Sequence, residues 1–258
     1  MMSSLRLNQV AIQLYTLREQ CTSLPDFTAS MKKCHEIGYR AVQLSGVKVP
    51  HAQAKKVLDD FGMTICATHE PGQEILDQPE LVCARLNAVG VKQTAYPYPA
   101  GVDFKSEESV RALARKLDAA GAVFAKHGLT LSYHNHAIEL SRFGDTTVLE
   151  FIYRETKPAN LKAEIDTYWI QYGGGDPAAW IEKLGGRGPL LHLKDYTITP
   201  DDKPAMAEIG HGNLNWPRIF AAAEKAGTEW LIVEQDTCPG DPFVSIKKSF
   251  DYLKSKLA

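Results

Sequence analysis

Short apolar segments alternate with longer amphipathic segments eight times along this chain of 258 residues. The short segments have the length of β-strands, and the apolar residues between them recur every three or four positions, as on one face of a helix. Phe27, Met31 and Cys34 form such a face, and Gly38 follows it as a helix end. The pattern predicts strands at residues 9–15, 40–44, 63–69, 91–96, 129–134, 161–166, 189–194 and 230–234.

Local signals predict where several helices begin. Asp77 and Glu80 have the spacing of a capping box. Ser106 precedes a long amphipathic stretch and is a favoured N-cap residue type. Asp176 and Asp241 each precede a proline, which fits an N-cap followed by proline at the first helical position.

Eight successive β-then-α units predict the α/β class and a single-domain (β/α)8 TIM barrel. The units average about 32 residues, which suits a fold whose typical length is about 250 residues. A doubly wound open sheet is the competing architecture, but the first strand is not followed by a G-x-G-x-x-G turn. No linker or low-complexity tract divides the chain, so we predict one domain over residues 1–258.

Polar residues end the last four predicted strands. His134, Asp166, His192 and Glu234 close strands five to eight, and in a barrel these ends meet on one face, where active sites lie. A structural role is at least as frequent for any one of them alone. Four such groups together are unfavourable to bury unless they share a partner, and a divalent metal is the simplest one. The pattern therefore predicts an enzyme.

Composition and charge narrow the functional class. The net charge is −2, without a basic run, which disfavours a nucleic-acid partner. No apolar run has the length of a membrane span, and residues 1–6 lead into the first strand without a signal-peptide core. The five cysteines show no C-x-x-C spacing, which disfavours a disulfide framework or a zinc finger. We therefore expect a cytoplasmic protein without a membrane partner.

Four segments give the chain a resemblance to a known family. They are YHNHAIE at residues 133–139, EIDTYW at 164–169, HLKD at 192–195 and GHGNLNW at 210–216. Their order resembles that in xylose isomerase-like barrels. This superfamily contains sugar-phosphate isomerases and epimerases, ketose 3-epimerases, inosose dehydratases and the structurally related endonuclease IV. The resemblance covers essentially the whole chain, and its motifs do not select one substrate.

The resemblance implies one divalent metal, Mn²⁺, Mg²⁺, Co²⁺ or Zn²⁺, bound by residues of strands five to eight. Ketose 3-epimerases have a glutamate at the end of strand five, where this chain has His134. The nearest carboxylate is Glu139, which we predict as the fourth ligand, while His134 as that ligand stays open. The predicted metal ligands are Glu139, Asp166, His192 and Glu234.

The implied chemistry is abstraction of a proton next to a carbonyl, through a metal-stabilised enediolate. Glu234 is the predicted base, and His134 or His136 supplies the second acid or base. The predicted function is a sugar or sugar-phosphate isomerase or epimerase, with possible oligomers as in the family. Because the strand-five glutamate is displaced, a lyase acting on an inosose or a 3-oxo-sugar is the alternative. A non-catalytic sugar-binding barrel is the alternative of another class.

Further residues are predicted to face a sugar or polyol substrate. Lys194 follows His192 by two positions, so period-two alternation directs it to the barrel mouth, where it could stabilise an oxyanion. Pairing of a surface Lys194 with Asp195 is an alternative of equal weight. The predicted substrate contacts at strand ends are Gln13, Tyr15, His69, Glu70 and Trp169. An endonuclease IV-like phosphodiesterase is disfavoured, because it would need more metal ligands and a basic face.

Overall fold

Eight parallel strands close into a barrel within residues 5–257, the part of the chain that the computed structural model describes. β1 pairs with both β2 and β8, so the sheet has no free edge. The predicted (β/α)8 TIM barrel is confirmed. The strands are β1 Val10–Gln13, β2 Ala41–Leu44, β3 Thr64–His69, β4 Gln93–Tyr96, β5 Thr130–His134, β6 Leu161–Asp166, β7 Leu190–Leu193 and β8 Trp230–Val233.

Each observed strand lies within the segment predicted for it, and the differences are at the ends. β1 stops at Gln13 because its side chain accepts a hydrogen bond from the backbone N–H of Tyr15 and begins the 3-10 helix Leu14–Gln20. β7 stops before Lys194, whose backbone N–H donates to Thr167 Oγ1 rather than to a neighbouring strand. Side-chain acceptors thus end two strands earlier than hydropathy predicts.

Helices follow the strands and cover the outside of the barrel. None of those described has the length and apolar composition needed to cross a bilayer. Short two-stranded hairpins lie at Arg142–Phe143 with Thr146–Thr147 and at Asp195–Ile198 with Pro204–Ala207. The helices are α1 Leu24–Ile37, α2 His51–Asp60, α3 Gly72–Asp77, α4 Pro79–Ala88, α5 Glu107–Lys126, α6 Val148–Arg154, α7 Thr167–Tyr172, α8 Pro177–Leu184, α9 Trp216–Ala226 and α10 Pro242–Lys256, with 3-10 turns at Leu7–Gln9, Leu14–Gln20 and Ile138–Leu140.

The helix N-termini confirm most of the predicted caps. Ser106, Asp176 and Asp241 each accept a hydrogen bond from a backbone N–H of the first turn. The predicted capping box of Asp77 is wrong. Asp77 ends α3, where its carboxylate accepts from Gln73 Nε2, and α4 begins at Pro79 without a side-chain cap.

The strands separate an apolar outer face from a barrel interior that becomes polar at one end. Side chains alternate along β1, so Val10 and Ile12 pack outward in the main core, while Ala11 belongs to a small interior cluster. That interior cluster consists of Ala11, Ala41, Cys66, Ala67, Leu190 and Ile232. Two positions further along, the same alternation directs Gln13 and Gln43 inward, where both are fully buried. Apolar packing therefore fills the interior below the strand ends and leaves those ends to polar groups.

Gly121 of α5 is where a helix approaches the chain before β6 most closely. A Cβ built on Gly121 would lie 2.0 Å from the carbonyl oxygen of Asn160. We predict that Gly121→Ala lowers the free energy of unfolding by about 1–3 kcal/mol, as overpacking does, although alanine favours helix by about 1 kcal/mol. Urea denaturation measures the change. Gly240→Ala is the control, since nothing lies within 4 Å of its Cβ position, and equal stability of the two variants would contradict the prediction.

Candidate metal and active site

Strand register brings the predicted ligands together at the carboxyl ends of the strands. Asp166 of β6 pairs with His192 of β7, and His134 of β5 pairs with Glu164 of β6. Glu234 directly follows β8, whose Ile232 is in register with His192. Residues from distant parts of the sequence therefore meet at one end of the barrel interior.

Two overlapping groups of potential ligands lie at this end. In each group, among the described residues, one ligand atom per residue lies within 4.8 Å of all the others. The outer group is His134, Asp166, His192 and Glu234. The inner group is His69, His134, Glu164 and His192. His134 and His192 belong to both groups, so the geometry alone offers two cation positions.

Hydrogen bonds already occupy the inner group. Glu164 Oε2 lies 2.5 Å from His69 Nε2, and Glu164 Oε1 accepts from Gln43 Nε2 at 2.6 Å. Burial alone raises the pKa of Glu164, but the neighbouring His192 and His69 lower it well below the usual range. Glu164 is therefore an ionised carboxylate whose two oxygens both have partners.

One carboxylate oxygen of the outer group and one ring nitrogen of His134 lack a hydrogen bond of good geometry. Asp166 Oδ2 and His134 Nδ1 are buried and have none, although Lys194 Nζ lies 3.1 Å from that oxygen and Glu164 Oε2 lies 3.4 Å from that nitrogen. Buried polar atoms without a hydrogen bond are rare and require an explanation. Two imidazoles and two carboxylates form a donor set that suits a divalent cation, so the outer group fits a metal.

Two cations, Lys194 and His192, balance the buried carboxylates of the site. Lys194 Nζ lies 2.8 Å from Glu234 Oε2 and 3.1 Å from both Asp166 Oδ2 and Asp236 Oδ2. Burial lowers the pKa of Lys194, but these three carboxylates raise it further, above its usual value. Burial also lowers the pKa of His192, and Glu164 and Glu234 raise it to about 10. Burial raises the pKa of Glu234, but Lys194 and His192 hold it well below its usual range.

Lys194 faces the barrel mouth and does not pair with Asp195. It is almost fully buried in the carboxylate cluster. Asp195 instead accepts hydrogen bonds from the backbone N–H groups of Gly210 and Gly212 and from Trp216 Nε1. Strand alternation therefore predicts the direction of Lys194 correctly. Asp195 stabilises the following loop through its hydrogen bonds.

A pocket of about 280 Å³ opens above the outer group. Its charged and imidazole lining is His69, His134, His136, Lys194, Glu234 and Asp236, and Tyr15, Ser45 and Tyr98 also contact it. Burial, followed by Lys194, lowers the pKa of His136 to about 4, so its ring is neutral at neutral pH. Burial and Glu234 raise the pKa of Asp236 to about 6. The pocket thus places an ammonium, carboxyl groups and neutral imidazoles around one small ligand volume.

Three predicted substrate contacts do not line this pocket. Gln13 lies beneath it and donates to Gln43 Oε1 at 2.9 Å. Glu70 is buried against α2 and α4, 2.7 Å from His51 Nε2 and bound to Arg85. Trp169 packs against His136, with ring centroids 5.6 Å apart, and so supports the wall from behind. Tyr15 and His69, by contrast, contact the pocket as expected.

Glu139 does not reach the ligand groups, contrary to the expectation from the sequence. Its carboxylate accepts from the Tyr133 hydroxyl and from the backbone N–H of His136, both at 2.9 Å. Tyr133 points outward, because it precedes the inward-facing His134 on the same strand. The 3-10 turn Ile138–Leu140 therefore carries Glu139 to the helix side of β5, away from the barrel interior.

Sequence reasoning missed three polar residues of this site. Glu164 lies two positions before Asp166 on β6, so strand alternation was a signal for it, whereas Asp236 lies beyond the end of β8, where alternation gives no direction. Gln43 is the polar residue of the otherwise apolar β2. A polar residue in a fully buried strand was the signal there.

Comparisons with known proteins identify the family of this chain and several similar proteins. The model of the xylose isomerase-like TIM barrel family matches residues 31–256. The chain belongs to that family. It is 24% identical over 271 residues to an inosose dehydratase from Mesomycoplasma hyopneumoniae strain J, covering 90% of this chain and 89% of that protein. It is 25% identical over 166 residues to one from Geobacillus thermodenitrificans, covering 58% of this chain.

The chain matches these proteins over different shares of their length. The chain spans little more than half of the Geobacillus protein, 55% of its length. A sugar phosphate isomerase/epimerase from Parabacteroides distasonis superposes with a TM-score of 0.80 at 22% identity, covering 96% of this chain and 94% of the other. That similarity supports the fold. All of these names denote enzymes, and the prediction of an enzyme is confirmed at that level.

The buried Glu139 predicts a pH-dependent stability. Burial raises its pKa to about 7 from the ordinary 4.5, so the folded chain holds this proton more tightly than the unfolded chain. The contribution of Glu139 to the free energy of unfolding is complete below pH 4.5 and is lost as the pH rises through 7. We predict that the free energy of unfolding falls by on the order of 3 kcal/mol more in the wild type than in Glu139→Gln between pH 4 and 8.

Urea denaturation at several pH values measures this difference. Glu36→Gln is the control, because Glu36 is an exposed carboxylate whose side chain is 61% accessible. That variant should keep the wild-type slope. Identical slopes for Glu139→Gln and the wild type would contradict the prediction.

Proposed function

We propose that this chain is a metal-dependent enzyme that dehydrates an inosose or a related 3-oxo-sugar. The reaction removes a proton from the carbon next to the ketone, forms a carbon–carbon double bond and expels the β-hydroxyl, so that one water leaves. The observation that carries this proposal is the outer group, which adjoins a small pocket lined by an ionised carboxylate, an ammonium and neutral imidazoles. The similarity to proteins named inosose dehydratases supports the choice of substrate class.

Asp166, His192 and Glu234 are the proposed protein ligands, with His134 as the fourth in place of Glu139. This set takes the residues of the outer group and leaves Glu139 in its hydrogen bonds to Tyr133 and His136. A divalent cation bound there would polarise the substrate ketone and stabilise the negative charge that deprotonation creates.

Glu234 is the proposed base. Its carboxylate contacts the pocket, and the neighbouring Lys194 and His192 hold its pKa well below the usual range. It is therefore ionised at neutral pH and able to accept a proton from a bound ligand. Lys194 Nζ, 2.8 Å from Glu234 Oε2, supplies a fixed positive charge beside the proton-transfer site.

His136 and Asp236 are the proposed groups that face the departing hydroxyl. Both contact the pocket near Lys194, and Asp236 Oδ2 is 3.1 Å from Lys194 Nζ. A protonated Asp236 can deliver the proton that turns the hydroxyl into water, and burial together with Glu234 favours that form by raising the pKa of Asp236 to about 6. The pocket is at the small end of ligand-site volumes, which suits a single ring.

Sugar isomerisation or epimerisation is the second candidate. Epimerisation of the ketose 3-epimerase type uses a glutamate at the end of strand five, and this chain has His134 there, with Glu139 directed away. The observation that favours this candidate is that Asp236, whose pKa burial and Glu234 raise to about 6, also lines the pocket and in its protonated form could return a proton to a neighbouring carbon. Elimination needs no second carboxylate across the substrate, so we rank it first.

The product of an inosose in D₂O distinguishes the two candidates. With Mn²⁺ added, we expect mass spectrometry to show loss of one water from the substrate. Deuterium incorporation without water loss would support an isomerase or epimerase instead. Neither change across a panel of inososes and 3-oxo-sugars would contradict both functions.

Glu234→Gln is expected to lower the dehydration rate by about 10²- to 10⁴-fold, because it removes the base. Glu229→Gln is the matched control, since Glu229 lies just before the other end of β8 and binds Gln93. The control should retain the wild-type rate. Equal rates for the two variants would remove Glu234 from the proposed mechanism.

Metal binding tests the ligand set independently of substrate. Loss of a residue that only hydrogen-bonds to a metal ligand weakens metal binding by roughly 10- to 100-fold. We predict that Asp166→Asn weakens Mn²⁺ binding by more than this, because Asp166 is itself a proposed ligand. Glu139→Gln should keep the wild-type affinity, because Glu139 lies outside both groups. Calorimetric titration of the metal-free protein measures both. Loss of affinity in Glu139→Gln alone would restore Glu139 as the ligand.

A further inference from the structure

The two ring nitrogens of His192 face different groups. Nε2 lies 2.7 Å from Gln43 Oε1 and 3.4 Å from Glu164 Oε1, on the side of the inner group. Nδ1 lies 2.8 Å from Glu234 Oε2 and 3.9 Å from Asp166 Oδ2, on the side of the outer group. On binding a metal, His192 becomes a neutral imidazole, which carries one hydrogen and offers the metal the nitrogen that lacks it. The position of this hydrogen therefore decides which group can include His192 as a ligand.

Hydrogen-bond direction along Gln13 and Gln43 is fixed from both ends. At one end the backbone N–H of Tyr15 can only donate, and it donates to Gln13 Oε1 at 3.4 Å. Gln13 therefore turns its amide NH₂ toward Gln43, whose Oε1 accepts at 2.9 Å. At the other end the Gln43 NH₂ donates to Glu164 Oε1 at 2.6 Å. Both ends require the Gln43 oxygen to face His192.

We propose that Gln43 is a positioning residue that keeps the hydrogen of His192 on Nε2 and so presents Nδ1 to a cation in the outer group. Since Gln43 Oε1 accepts hydrogen bonds only, the ring nitrogen 2.7 Å away must be the donor. The same hydrogen bond fixes the ring rotation, as partners of metal-binding histidines commonly do. This inference rests on the proposed metal dependence.

The orientation also selects between the two cation positions. A cation in the inner group would have to displace either the Gln43–His192 hydrogen bond or the contact between His69 Nε2 and Glu164 Oε2. A cation in the outer group would displace the contact between His192 Nδ1 and Glu234 Oε2 and weaken the ion pairs of Lys194, but it would leave the hydrogen bonds of Gln43 in place. Gln43 thereby keeps the inner group a hydrogen-bonded support and leaves the outer group as the binding position.

The test combines a spectroscopic readout with metal affinity. In protein labelled with ¹⁵N at histidine and loaded with Zn²⁺, long-range ¹H–¹⁵N correlation should show His192 Nε2 protonated and Nδ1 bound to metal. Gln43→Met, which keeps the side-chain length but cannot accept, should weaken Zn²⁺ binding by about 10- to 100-fold. It should also give mixed or reversed protonation of the ring. Gln93→Met is the matched control, because Gln93 is also a largely buried strand glutamine but binds Glu229 at the other end of the barrel.

Each outcome bears on the inference separately from the proposed function. Zn²⁺ bound through Nε2 in the wild type would overturn the inference even if Gln43→Met did not fold. Wild-type affinity and protonation in Gln43→Met would also overturn it. In both cases metal-dependent dehydration by the wild type would still support the proposed function. Absence of Zn²⁺ binding to the wild type would overturn the inference together with the proposed metal.

Discussion

Charge compensation inside the barrel mouth is the constraint on which the site depends. Glu164, Asp166 and Glu234 are at most 4% exposed, and a carboxylate removed from water is strongly unfavourable unless a cation or hydrogen bonds compensate it. Lys194 and a protonated His192 provide positive charge beside these carboxylates. A divalent cation in the outer group would supply that charge directly. The same arrangement therefore explains the raised pKa of His192 and the fit to a metal.

The polar residues at the strand ends have two different roles. Three residues below the pocket are joined to one another by hydrogen bonds and do not contact it; they are Gln13, Gln43 and Glu164. They support His69 and His192 from below, so their rings are held in place before any ligand arrives. Such preorganisation matters because catalytic groups act only when held close to their productive geometry. The outer group, by contrast, contacts the pocket, and its carboxylates are held by ion pairs to Lys194 and His192.

Most of the correct predictions from the sequence came from the periodicity of the strands. Hydropathy located all eight strands, and the rule that parallel strand ends converge brought His134, Asp166 and His192 together. The same period of two would have added Glu164, because it shares a strand face with Asp166. These successes concern residues within regular strands, where side-chain direction follows from position.

Residues just beyond the strands could not be placed in this way. Glu139 and Glu70 follow β5 and β3 by only a few positions, yet turns direct both toward the helices. Their directions depend on Tyr133 and Arg85, partners that spacing does not reveal. The predicted end of β1 was wrong for the same reason, because the Gln13 side chain begins a 3-10 turn. Local side-chain hydrogen bonds, which hydropathy does not encode, decide these positions.

Anomalous diffraction from crystals soaked in Mn²⁺ tests the central claim most directly. The account predicts one strong peak per chain within ligand distance of Asp166, His192 Nδ1 and Glu234, with Glu139 still bound to Tyr133. A peak among His69, Glu164 and His192 Nε2, or a peak beside Glu139, would contradict it.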